Sequence, residues 1–199
     1  METLQERRTA VTRGHILDAA FARLVEHPDE PFSHEVVAKE AGMGARTVYR
    51  YFPAQSDLFE ALWLRLRKES GTVFPRAEGE IVPSLGELYR AFDENERLVR
   101  AMLESPAGAR VRARGAEEGR ACFDQSLKDL LKGRSPSERR QIRAVFQGLH
   151  SGMFWQILKD RGELSGTEAI AAVSWAAEVL LGALRREQGL VGSKRKEKK

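Results

Sequence analysis

Apolar residues recur every three or four positions along almost the whole chain, and nowhere do Val, Ile and Thr gather in alternating runs. Three-and-four spacing puts side chains on one face of an α-helix, whereas a half-buried strand needs alternation. The sequence therefore predicts an all-α fold. Between Arg13 and Glu26 the stripe is Leu17, Ala20, Phe21 and Leu24, and it stops at HPDEPF, residues 27–32, where two prolines break the pattern. Ser33 is placed to cap a short helix running to about Glu40. A second short helix spans roughly Ala45–Phe52 and is stopped by Pro53; a fourth, from Ala54 to about Lys68, carries Leu58, Phe59, Leu62 and Leu66.

At 199 residues the chain is long enough to bury a core, and 42% hydrophobic with 31% charged residues is the balance of a globular protein. No uninterrupted apolar run approaches the roughly 18–20 residues of a membrane span, and METLQERRTA lacks the apolar stretch of a secretory leader. Cys122 is the single cysteine, and the four histidines are scattered, so neither a disulfide within the chain nor a metal cluster is expected. These features predict a cytoplasmic protein with no membrane partner and no cofactor. The net charge of +4 resides in the last six residues, Lys194 to Lys199, five basic and one acidic. Residues 191–199 read as a basic, disordered tail. Total charge thus argues nothing about nucleic acid; placement must.

Past about residue 70 the pattern loosens, with Gly71, Pro75, Gly79 and Pro83 in a loop or broken helix. Ser84 and Glu87 have capping-box spacing and are expected to open a helix carrying Leu85, Leu88, Tyr89 and Phe92. Residues 105–120, rich in Arg, Ala and Gly, define no helix boundary; helix resumes from Ala121 to about Lys132. Ser135-Pro-Ser-Glu138 is a strong start signal for a run from Ile142 to Ile157, which Gly162 ends. Ser165 and Glu168 begin a final helix with Ile170, Val173, Ala177, Leu180, Leu181 and Leu184. Trp175 and Val179 lie off that stripe, so this helix needs two apolar partners: its own core and a second subunit, or, as the alternative, one large monomeric core on both sides.

Residues 33–52, SHEVVAKEAGMGARTVYRYF, are two short helices joined by a glycine-containing turn, the helix-turn-helix pattern. Val37 and Ala38 face inward, Gly42 reverses the chain, and Met43 plugs the turn. Ala45, Val48 and Phe52 anchor the second helix, which leaves Arg46, Thr47 and Arg50 outward with Tyr49 and Tyr51 at the edges. Arginine bonds guanine bidentately in the major groove, and hydroxyls suit phosphate oxygens. A helix exposed only for solubility would carry Glu, Lys and Gln instead. Double-stranded DNA is the expected partner; a helical small-molecule-binding protein without specific DNA binding is the alternative. The phosphate loop GxxxxGK[ST], HExxH and GxSxG are all absent, so no enzyme is expected.

ILDAAF (16–21) and FSHEVVAKEAGMGARTVYRYFPAQSDLFEALW (32–63) resemble the DNA-binding domain of the TetR (tetracycline-repressor-like) family. The resemblance implies a homodimeric repressor with a three-helix head over residues 1–70 and a larger helical effector-binding and dimerisation body over 71–190. Within the head it implies that Arg46 and Arg50 read bases while Ser33, Thr47, Tyr49 and Tyr51 hold phosphates. The chain departs from the family pattern at Gln55, where lysine is common, at Gly44, where a Ser cap is usual, and at Glu35, an acid where a basic or neutral DNA contact is expected. For the body the resemblance implies a four-helix bundle with the partner's last two helices, and an apolar effector lined by Leu88, Phe92, Met102, Phe123, His150 and Trp155. Met and aromatic residues at helical spacing usually pack as plain core, and that reading is preferred for each of these six. Cys122 reads as a buried structural thiol.

Overall fold

The computed structural model describes residues 3–27, 29–70 and 74–189. Among them it contains ten α-helices and one 3-10 turn, and no strand. The basic tail, expected to be disordered, lies outside the described residues. The helices are α1 (Leu4–Glu26), α2 (His34–Glu40), α3 (Ala45–Tyr51), α4 (Gln55–Ser70), α5 (Ile81–Glu94), α6 (Glu96–Glu104), α7 (Pro106–Ser126), α8 (Pro136–Leu149), α9 (Gly152–Asp160) and α10 (Gly166–Glu187).

Two compact units divide the chain. One comprises Met1–Thr72 with Glu94–Glu117, the other Val73–Asp93 with Glu118–Lys199. In the first, α1 packs on α2, α4 and α6, and α2 packs on α3. Ile16, Ala20, Phe21 and Leu24 of α1 meet Val37 and Ala38 of α2, Val48 of α3, Phe52, and Leu58, Phe59 and Leu62 of α4. Met102 of α6 and Val111 of α7 complete that core. In the second unit α8, α9 and α10 pack on one another, around Phe146, Trp155, Val173 and Leu181.

Four boundaries differ from the sequence reading, each for a local reason. α1 starts nine residues before Arg13, at Leu4, because Thr3 and Glu6 form a capping box. α5 starts at Ile81, with Pro83 tolerated in its first turn, so Ser84 lies inside the helix. Its hydroxyl donates to Ile81 O instead of capping. α7 is continuous through residues 106–126, and the chain then leaves it for turns at 127–133. The run from Ile142 to Ile157 is two helices: His150 ends α8, and Ser151 caps α9 by accepting from Phe154 N at 3.2 Å. The boxes at Ser135 and Ser165 open α8 and α10 as their spacing predicts.

α10, at 22 residues, is long and apolar enough to cross a bilayer by length and composition. Glu178 lies mid-helix, and Ala169, Val173, Ala177, Leu181 and Leu184 are buried against the unit's own core. An apolar helix with one face packed on neighbouring helices meets the same length criterion as a membrane span.

Candidate nucleic-acid interface

Ser33 caps α2, its Oγ accepting from Val36 N at 3.3 Å. At the other end Gly42 adopts φ +62°, left-handed geometry that a side chain would strain. Met43 N then donates to Ala38 O at 2.9 Å and closes the reversal. Gly44 begins α3 with no side-chain cap. Thr47 N bonds Gly44 O at 2.8 Å, so the first turn is held by backbone alone.

Val48 and Phe52 are both fully buried and fix the rotation of α3 against the head. That rotation exposes Arg46, Tyr49 and Arg50, while Thr47 and Tyr51 are half-buried at the flanks and Ser33 is half-buried at the start of α2. The six residues expected to touch DNA thus occupy α3 and the residue that opens α2. The Arg50 guanidinium stands 5.2 Å from the Tyr51 ring centroid, and Arg13 of α1 lies 4.3 Å over Phe52 while donating to Tyr51 O at 3.3 Å. Arg13 escaped the sequence reading because its spacing along α1 shows no link to residues 38 positions away.

Tyr49 is committed more tightly than its exposure of 42% suggests. Its ring stacks on buried His34 with centroids 4.3 Å apart, and its hydroxyl donates to Glu35 Oε1 at 2.8 Å. That hydrogen bond holds the Glu35 carboxyl below its usual range and the Tyr49 phenol above its own. Tyr51 is shifted the opposite way, chiefly by a hydrogen bond from Thr12, with Arg50 adding to it. Gln55 does not point outward as a lysine substitute: its Nε2 donates to Phe32 O at 3.0 Å and its Oε1 accepts from Arg110 at 3.2 Å.

The six residues expected to line an effector site divide. Leu88, Phe92, Phe123, His150 and Trp155 are buried in the second unit, whereas Met102 belongs to the core of the first. Phe92 meets Trp155 edge-on at 5.8 Å, and Phe123 and Phe74 flank the His150 ring at 5.6 and 5.5 Å. Trp155 Nε1 and Lys159 Nζ both donate to Asp93 Oδ1, at 3.0 and 3.1 Å. Cys122 is buried, and among the described residues no three His, Cys, Asp or Glu side chains are grouped to hold a metal.

Residues 16–62 match the family described as bacterial regulatory proteins, tetR family. The matched stretch runs from α1 into α4 and contains the whole of α2 and α3. The chain is also similar to the HTH-type transcriptional repressor LfrR of Mycolicibacterium smegmatis, 39% identical over 67 residues. The aligned stretch is 34% of this chain and 34% of that relative, so the chain spans about a third of the relative's length. The fold of the whole chain is similar to a tetR-family transcriptional regulator from Streptomyces coelicolor, with TM-score 0.57, 20% identity, and 92% of this chain and 93% of that one covered. It is also similar to a TetR variant from Acinetobacter baumannii AYE in complex with minocycline, with TM-score 0.51, 17% identity, and 88% and 97% covered. These two likenesses concern the fold.

Proposed function

We propose that the chain is a transcription repressor that binds a palindromic duplex site as a homodimer in the cytoplasm and is released from it by a small molecule. The observation that carries this reading is the orientation of α3. With Val48 and Phe52 buried, a helix without a single acidic residue presents Arg46, Tyr49 and Arg50 to solvent. Such a face suits the major groove, with guanidiniums bonding guanine edges and hydroxyls bonding phosphates.

Dimerisation is supported by Val145, Met153, Ile157, Trp175 and Val179, all exposed on α8, α9 and α10 while the opposite faces are buried. A groove of about 290 Å³ between α8 and α10, lined by Ile142, Val145, Leu180 and Ala183 together with the paired Arg134 and Glu187, shares Val145 with that surface. A second copy would cover it, and two-fold symmetry would demand a palindromic site. An apolar effector would part the rings of Phe92, Phe123, His150 and Trp155 in the second unit. It would lower DNA affinity only by preferring the arrangement that does not bind DNA.

The test is selection of bound fragments from random duplexes, followed by titration of the recovered site with Arg46→Ala and Arg50→Ala proteins. Enrichment of a palindrome and weaker binding by both variants is the expected result. Equal affinity of wild type and variants would overturn the assignment of α3.

A further inference from the structure

Glu35 is the one acid on the exposed face formed by the start of α2 and the outward side of α3. Its carboxylate sits 2.8 Å from the Tyr49 hydroxyl, which donates to it, and the Ser33 hydroxyl also leans on it. Both hydroxyls are groups that would otherwise donate to an anion from outside. A phenol has one proton to give. While Glu35 holds it, the Tyr49 oxygen offers only lone pairs, which repel a phosphate oxygen. His34 beneath the ring fixes Tyr49 in this pose: it is 5% exposed, and its Nε2 bonds Phe52 O at 2.9 Å.

We propose that Glu35 is an internal substitute for a DNA phosphate: it occupies the Tyr49 hydroxyl in the free protein and must release it before that hydroxyl can bind the duplex backbone. The inference rests on the reading of this face as a duplex-binding surface. The exchange replaces one charge-assisted hydrogen bond by another of the same kind, so contact at Tyr49 adds little net affinity on an arbitrary sequence. A site whose base contacts seat α3 fully supplies what is needed to displace the carboxylate. Glu35 thereby suppresses nonspecific binding more than specific binding. It acts on specificity through Tyr49, without reading a base.

The test is a double-mutant cycle on the full chain with Glu35→Gln, Tyr49→Phe and the double variant, read by anisotropy with a labelled mixed-sequence duplex. Glu40→Gln, an exposed acid at the far end of α2, reports what loss of one negative charge does by itself. Glu35→Gln is expected to tighten mixed-sequence binding more than Glu40→Gln does. Tyr49→Phe should remove that extra gain, with a coupling of about 3-fold or more between the two positions. Without DNA, ultraviolet titration should show the Tyr49 phenol falling toward its ordinary value in the Glu35→Gln protein. If the phenol shifts but the cycle shows no coupling, the proposal fails and the duplex-binding reading stands. If Glu35→Gln changes affinity only for sequences differing at one base pair, Glu35 reads a base and the proposal fails. If neither wild type nor Glu35→Gln binds any duplex, both fall together.

Discussion

His34 Nε2 donates to Phe52 O at 2.9 Å, tying the first residue of α2 to the residue that ends α3. A carbonyl only accepts, so this bond fixes the proton on Nε2. One buried side chain thus sets the spacing of the two helices and, through its stacked ring, the pose of Tyr49. Replacing His34 with Ala leaves Phe52 O without that donor and opens space under Tyr49. A loss of about 1–3 kcal/mol is expected. Thermal denaturation measures it; an unchanged midpoint would show that the bond contributes nothing to the head.

Arg46 and Arg50 are both exposed on α3. Arg50→Ala is expected to cost about 1–3 kcal/mol on the selected site and to relax the base preference at one position. Arg13→Ala should act differently, since its guanidinium is spent on the Phe52 ring and Tyr51 O. Its effect should appear in thermal stability and equally across sequences, which gel-shift titration on two unrelated duplexes will separate.

Trp175 is 67% exposed on α10, whereas Leu181 on the same helix is 2% exposed. A charge at Leu181 would unfold the second unit before it reported on assembly, so Trp175→Asp is the cleaner probe. The variant is expected to keep its helical circular dichroism and to halve in mass by light scattering. A wild-type protein that is already monomeric at micromolar concentration would remove the dimer from the proposed function.

Burial pushes the Tyr89 phenol well above its ordinary value, and its hydroxyl donates to Leu149 O at 2.9 Å near the end of α8. The unfolded chain gives up that proton at a pH of about 10, where the folded chain still holds it. The stability from this difference is therefore complete below about pH 10 and is lost as pH rises toward the folded value. Tyr89→Phe should lower stability by about 1 kcal/mol at neutral pH and flatten the alkaline decline. Melts across the alkaline range, with wild type and variant compared, decide it.

A Cβ added at Gly115 would run into the Trp63 ring of α4. Gly115→Ala is thus expected to cost about 1–3 kcal/mol by overpacking, despite the higher helix propensity of alanine. A rise in the unfolding midpoint would show that Trp63 can move aside without loss.

The start of the head was legible in the sequence because its signals are local. Ser33 as cap, Gly42 at the turn, and Val48 and Phe52 on one helical face depend only on neighbours within one or two turns, and the structure has each in that place. Arg46 and Arg50 point outward for the same reason: a buried stripe fixes the opposite face. The stretch from 105 to 120 was illegible because glycine is ambiguous in sequence. Gly115 and Gly119 fall in that stretch without a legible boundary, and both sit in the unbroken α7, where they admit the rings of Trp63 and Phe74. Only the partner helix says whether a glycine marks a turn or a close approach. The break at His150–Ser151 was hidden for a related reason, since an apolar three-and-four pattern can resume in phase after an interruption. Most of all, the sequence assigned Tyr49 to a phosphate and left Glu35 an anomaly. Their 2.8 Å hydrogen bond joins residues 14 apart on different helices. Periodicity decides which face a side chain takes, but the crossing of α2 and α3 decides what it meets there.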